Sequence, residues 1–405
     1  MIFSQLKKLG PGLLFAGAAI GVSHLVQSTK AGADYGLGLV WALLLVNIFK
    51  YPFFKYGTLY AIATKENLLD GYNKLGKPFL VIYFTVNLMT MFTIQAAVTI
   101  VTAGLASSLF GIDLNIQTWT LIILLTSGSI LTIGKFKLLD NMMKCIIIVL
   151  TLSTVSAVIL SGLSPHTSLS LKPVIPNNTI GIAFLIAFFG WMPAPLDISV
   201  WQSIWTNEKR KSSHSFDTKS SIMDFKIGYF FTVILGLCFM ALGAFVAYDS
   251  SNNLNGSALE FSNKLINLYA QSLGDWSYYL IAIAAFTTMF STTLTTLDAS
   301  PRVMSHCLDL FGKKNFLSKY KTWLIFLIVG TLIIFYGFLS EMGSLIKIAT
   351  IFSFLTAPLY AILNYLLISS RHTPKKFHPK KRDHILSISG IIFLIGFSIW
   401  YILSL

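Results

Sequence analysis

Long apolar runs, separated by short polar stretches, recur eleven times along the chain. A membrane-spanning helix needs about 20 consecutive, mostly apolar residues. The runs at roughly 10–34, 37–62, 78–108, 116–134, 139–163, 178–206, 220–248, 276–299, 322–340, 344–368 and 384–404 have that length. No connection between them is long enough for a separate soluble domain. The longest hydrophilic connection, 249–275, is rich in Asn and Ser and is expected to be an external loop. Lys7 and Lys8 ahead of the first run imitate a secretory leader, but ten further runs follow, so the first is read as a retained span.

Composition agrees and narrows the classes. Of 405 residues, 55% are apolar and only 11% are charged. A soluble domain carries about 25% charged residues, so a soluble enzyme of this size is excluded. The 32 Phe, 16 Tyr and 8 Trp exclude a disordered chain. The formal net charge of +14 is not a nucleic-acid signal here, because basic residues mark cytoplasmic loops. With the N-terminus inside, 24 of the 30 Lys and Arg fall on cytoplasmic segments. Lys30, Lys172, Lys264 and Lys347 fall outside, and Lys50 and Lys55 lie within the second run. The expected topology is a cytoplasmic N-terminus and an external C-terminus in the plasma (inner) membrane. Cys145, Cys238 and Cys307 have no metal-type spacing. No phosphate-binding loop or catalytic constellation occurs, so neither an ATP-driven pump nor an enzyme is expected.

Two runs are interrupted. The first holds Gly10-Pro11-Gly12, Gly17 and Gly21-Val22-Ser23-His24; the sixth holds Gly190-Trp191-Met192-Pro193-Ala194-Pro195. Glycine and proline in mid-span free backbone groups that lipid cannot satisfy, and such breaks survive only against protein or a water-filled cavity. The interrupted runs are five apart, so they cross the membrane in opposite directions. That is the arrangement of inverted five-helix repeats with a midplane site at two unwound helices. The repeats would cover about 10–163 and 178–368, with an extra helix at 384–404, in a single transport domain. Two ordinary proline kinks are the alternative.

The residues that follow the first break sharpen this. Gly10-Pro11-Gly12, the stretch Gln27-Ser28-Thr29-Lys30-Ala31-Gly32-Ala33-Asp34-Tyr35-Gly36, the run Leu39 to Asn47, Ala61-Ile62-Ala63-Thr64 and Met192-Pro193 resemble the Nramp family. The resemblance covers most of the chain in span order. It implies an all-helical, polytopic, LeuT-like fold: two inverted five-helix repeats with broken helices one and six, plus an eleventh helix. It also implies secondary transport of a divalent metal of the manganese and iron class, usually with protons. The family's Asp-Pro-Gly-Asn break aligns with Gly21, Val22, Ser23 and His24, so both of its metal-binding side chains are replaced. The methionine ligand aligns with Met192, the alanine whose carbonyl binds metal with Phe189, and the histidine after Met-Pro with Ala194. The acidic pair linked to proton passage aligns with Gln95 and Val98.

Read as chemistry, the candidate substrate-binding residues are Gly21, His24, Phe189, Trp191, Met192 and Asp197. Of these, His24, Met192 and Asp197 are the candidate metal ligands. A neutral imidazole ligates manganese, iron or zinc, and a thioether selects transition metals over calcium and magnesium. The competing reading of His24 is a hydrogen bond to carbonyls freed by the break; that of Asp197 is a structural ion pair with Lys50; that of Met192 is packing. A carboxylate deep in a membrane is functional by default. Gln95, Ser291 and Thr292 are candidates for a coupling ion, proton or sodium, although membrane hydroxyls often bond back to their own helix. Trp191 and Phe189 would narrow the cavity, gate it or face an organic cation. No tightly bound cofactor, nucleic acid or obligate protein partner is expected, only the lipid bilayer and a small ion or solute. A sodium-coupled carrier of a small organic solute, and a transport-dead sensor on the same scaffold, remain alternatives.

Overall fold

A computed structural model describes residues 10–133, 136–163, 170–212, 218–248, 258–313, 315–337 and 342–404. Among the described residues there is no strand. The first run is α1 (Pro11–Ala19), a π-helical turn at Ser23–Ser28 and α2 (Thr29–Tyr35), the two halves bent by 47°. The second is α3 (Val40–Thr64), followed by a short helix, α4 (Leu68–Leu75). Then come α5 (Lys77–Phe110), α6 (Ile116–Ile133) and α7 (Phe136–Leu163). The sixth run is split into α8 (Thr179–Trp191) and α9 (Ile198–Ser212). The remainder is α10 (Thr218–Ala247), α11 (Ala258–Leu273), α12 (Tyr278–Leu310), α13 (Tyr320–Gly337), α14 (Met342–Ile368) and α15 (Lys381–Leu403).

Each of the eleven runs is therefore helical, and both breaks fall where glycine and proline place them. Among the described residues, seven helices are by length and composition apolar enough to cross a membrane, and the bent α1–α2 pair makes eight. The three runs below that standard each have a visible reason. α3 carries two lysines, the described apolar part of α7 is short, and α8 ends after 13 residues at its break.

The 249–275 connection differs from expectation, because residues from Ala258 onward form α11, which lies along α5, α7 and α12. Phe261, Leu265 and Leu268 recur at helical spacing and are buried. The Asn and Ser between them mask that stripe in the composition. α12 also runs past its expected end, carrying Asp298 and Arg302 as an ion pair at 2.7 Å one turn apart.

What positions the breaks is close backbone packing between the two halves. α10 lies along both α1 and α2. A Cβ on Gly12 would strike the Asp224 carbonyl, one on Gly228 the Gly12 carbonyl, and one on Gly243 the Thr29 carbonyl. Small residues let helices approach this closely where no hydrophobic effect drives them together. Asp224 then accepts from the backbone N–H groups of Gly10 (3.0 Å) and Gly12 (2.7 Å), capping the start of α1. The mirror contact joins α3 to α9, where Gly57 lies against the Ser199 carbonyl.

Two outcomes are expected, the first from the distribution of basic residues along the chain and the second from this close packing. In a variant lacking the native cysteines, Lys211→Cys is labelled by an impermeant thiol reagent only from the cytoplasm and Asp275→Cys only from outside. Labelling of both from one side would refute the topology. Gly228→Ala lowers the thermal midpoint in detergent by the equivalent of about 1–3 kcal/mol of overpacking. Gly396→Ala, with open space around its added methyl, does not; equal midpoints would refute the close contact.

Candidate functional site

At the first break the helical ladder skips. Gly21 N–H donates to the Ala19 carbonyl at 2.9 Å, and the ladder resumes with Leu25 N–H to the Gly21 carbonyl at 2.9 Å. The Gly17 carbonyl, left over, accepts from the Thr292 hydroxyl of α12 at 3.1 Å. A Cβ on Gly21 would lie 2.7 Å from that same hydroxyl, so α12 can approach the break this closely only where there is no side chain. His24 is wholly buried. Its Nε2 lies 2.8 Å from the Thr232 carbonyl of α10, which makes that nitrogen the donor. Nδ1 lies 2.7 Å from the Ser23 hydroxyl and 3.2 Å from the Ala19 carbonyl. With Nε2 donating to α10, the neutral ring accepts at Nδ1 from the Ser23 hydroxyl, and His24 ties the first break to α10.

At the second break the last α8 bond is Met192 N–H to the Phe188 carbonyl at 2.9 Å, and the Met192–Pro193 peptide is cis. Three carbonyls here are taken up by one side chain. Lys50 of α3 donates from Nζ to Phe189 (2.6 Å), Gly190 (2.8 Å) and Ala194 (3.1 Å). The break is also held to α14, where the Trp191 indole donates to the Ser353 hydroxyl at 2.8 Å and Gly190 packs against the Thr350 carbonyl. The Phe189 ring points away from the break, against Phe393 and Phe397 of α15, so Phe189 contributes only its carbonyl.

The two breaks meet over Gly236 of α10. A Cβ built there would lie 3.5 Å from the Met192 sulfur and 3.6 Å from His24 Cδ2. Asp197, immediately before α9, sits elsewhere. It is 3% exposed, and Oδ1 has no hydrogen-bond partner. It is in electrostatic reach of Lys50, Tyr83 and Tyr360, and the hydroxyls of both tyrosines also lack partners. Among the described residues no ion pair within 4.0 Å joins Asp197 to Lys50, so the alternative reading of a direct ion pair is not seen; the ammonium goes to the carbonyls of the break.

A small cavity lies between the breaks, α5 and α12. Ala18, Ala19, Val22 and Ser23 line it from the first break, Ile94 and Val98 from α5, and Thr292 and Thr296 from α12. Trp191, Pro195, Ile198 and Trp201 close it from the sixth run. Its polar groups are hydroxyls and indoles; no carboxylate faces it. Gln95 stands directly behind, accepting from the Thr296 hydroxyl at 2.8 Å and donating to Thr99 at 3.1 Å. Ser291 is buried on α12.

Of the candidate residues, Trp191 and Thr292 thus face the cavity. Gly21, His24, Phe189 and Met192 form its supporting breaks, and Asp197 is not among its lining residues. Among the described residues no group of three or more His, Cys, Asp and Glu could hold a metal ion. Ser23, Thr296, Val98 and Trp201 belong to the site and were not singled out as its residues. Ser23 was within reach of sequence reasoning, being inside the break. The Thr232 carbonyl, which fixes His24, has no sequence signal, because any residue supplies a carbonyl.

A family model described as "Natural resistance-associated macrophage protein-like" (Nramp) matches residues 12–404. An uncharacterised protein of Pasteurella multocida (strain Pm70) is 38% identical over 98% of this chain and 92% of its own. A protein of Staphylococcus saprophyticus named divalent metal cation transporter MntH is 25% identical, covering 98% of this chain and 91% of its own. Among solved structures, the manganese transporter of Eremococcus coleocola superposes with a TM-score of 0.71 at 15% identity, over 99% of this chain and 94% of that one. At that identity the likeness speaks for fold alone, and the fold is the LeuT-like one, with broken helices one and six and an eleventh helix. With a model match across almost its whole length, the chain belongs to the Nramp family.

Proposed function

We propose that this protein is a secondary active transporter that moves a divalent metal ion of the manganese and iron class by alternating access around its two broken helices. The observation that carries the reading is the meeting of the breaks over Gly236, with the Met192 thioether at the junction, in a chain of the Nramp family. A soft sulfur donor beside backbone carbonyls suits manganese, iron or cadmium and offers little to calcium or magnesium. The divalent-metal and manganese transporters among its relatives support the same class. In this reading the chain lies in the plasma membrane with the N-terminus inside, its repeats cover about 10–163 and 178–368, and proton or sodium is the coupling ion.

The cavity lining favours one second reading. Its walls are apolar, aromatic and hydroxyl-bearing, without a carboxylate to neutralise a divalent charge. Such a pocket also suits a small organic solute carried with sodium. His24 and Met192 both border Gly236, whereas no hydrogen bond among the described residues joins Asp197 to either; the proposed metal set of His24, Met192 and Asp197 would therefore assemble only with rearrangement of the breaks.

Uptake into proteoliposomes separates the readings. If Met192 ligates the cargo, Met192→Ala reduces manganese and cadmium uptake roughly tenfold, the size of one lost ligand worth about 1.4 kcal/mol, and calcium competes better than before. Unchanged selectivity in well-folded protein would remove methionine from the site. Asp197→Asn keeps shape and removes charge, so the protein still folds while transport falls strongly. Full activity in that variant would make the carboxylate a structural group.

A further inference from the structure

Lys50 is one of the largest side chains in the molecule with no solvent exposure. A lysine in the interior of a membrane protein is costly unless it is paired. Here the partner is not an acid. The ammonium has three N–H donors, and three carbonyls surround it at 2.6, 2.8 and 3.1 Å. Donor count and acceptor count match, leaving no hydrogen and no cage carbonyl unserved.

Those carbonyls are special for a reason of backbone geometry. Within an intact helix each would accept from the N–H four residues on. The break removes those donors and turns the Phe189, Gly190 and Ala194 carbonyls toward one point. Converging carbonyls in a dry interior form a cation site, since they replace the hydration shell of an ion. The site is therefore already built, and the chain fills it with its own side chain. The arrangement also places the Lys50 ammonium directly against the second break.

We infer that Lys50 is a tethered cation that occupies the carbonyl half of the transport site, so that a free cation reaches the Phe189, Gly190 and Ala194 carbonyls only when the ammonium is withdrawn or removed. Lys50 thereby sets which charge the site admits. The inference rests on the reading of the second break as part of the transport site, but its test does not require transport. α3 belongs to the opposite half of the molecule from α8 and α9, so withdrawal of Lys50 accompanies any separation of the second break from α3.

The test uses the purified full-length protein in detergent, with sodium, potassium, manganese and cadmium chlorides as probes. Lys50→Met removes the charge and keeps most of the stem. Its thermal midpoint is expected to be low without added cation and to rise with at least one of the four, while the wild-type midpoint does not respond to that ion. Calorimetry is expected to show that ion binding at least about tenfold more tightly to Lys50→Met than to wild type. Lys50→Ala provides the second arm, in which free propylammonium restores the midpoint and propanol, similar in size but uncharged, does not. A cation response in Lys50→Met no greater than in wild type, together with no propylammonium rescue of Lys50→Ala, overturns the inference. Failure of both variants to fold under every probe does the same, because an open cage would then not be a cation site. The transport reading is judged separately, by wild-type metal uptake. Loss of that reading with a cation gain in Lys50→Met leaves the tethered cation standing, and metal uptake without any gain removes only the tethered cation.

Discussion

Backbone polarity is the constraint from which this structure is built. A membrane interior offers no water to a free N–H or carbonyl, yet the chain interrupts two of its spans. Each interruption has to be paid off by a group from elsewhere in the fold. At the first break, His24 reaches the Thr232 carbonyl of α10 and Thr292 of α12 serves the Gly17 carbonyl. At the second, Lys50 of α3 serves three carbonyls at once. Each break is thus stapled to the second helix of the opposite half, in the first case by a side chain of the break and in the second by a side chain of the neighbouring helix.

That exchange explains why the helices around the breaks approach so closely. A side chain can bridge a break and α10 or α3 only if the flanking helices touch backbone to backbone. Glycines at Gly12, Gly228, Gly243 and Gly57 permit this. Trp191, bonded to Ser353, adds a third support from α14. The cavity between the breaks is the space these supports leave. Its lining is mostly apolar because most of the polar groups at the breaks are already committed to one another.

The electrostatic character of the site follows from the same commitments. The Lys50 ammonium is held by carbonyls, while the Asp197 carboxylate and the hydroxyls of Tyr83 and Tyr360 each keep an oxygen without a hydrogen-bond partner. Buried polar atoms left unserved are uncommon and costly.

Hydropathy and residue type determined a great deal without the fold. The eleven helical runs and both breaks were legible, because apolar length and the backbone effects of glycine and proline are local properties. So were the positions of Met192 and Trp191 inside a break. α11 was hidden because its buried stripe, Phe261, Leu265 and Leu268, is interleaved with residues of loop-like composition. What only the tertiary structure decided is who serves whom. The partner of Lys50 is a set of carbonyls, the first of them 139 residues away, and that of His24 is a carbonyl 208 residues away. Every residue carries a carbonyl, so nothing in a one-dimensional string marks the few that a broken helix turns toward a common point; three-dimensional packing alone selects them.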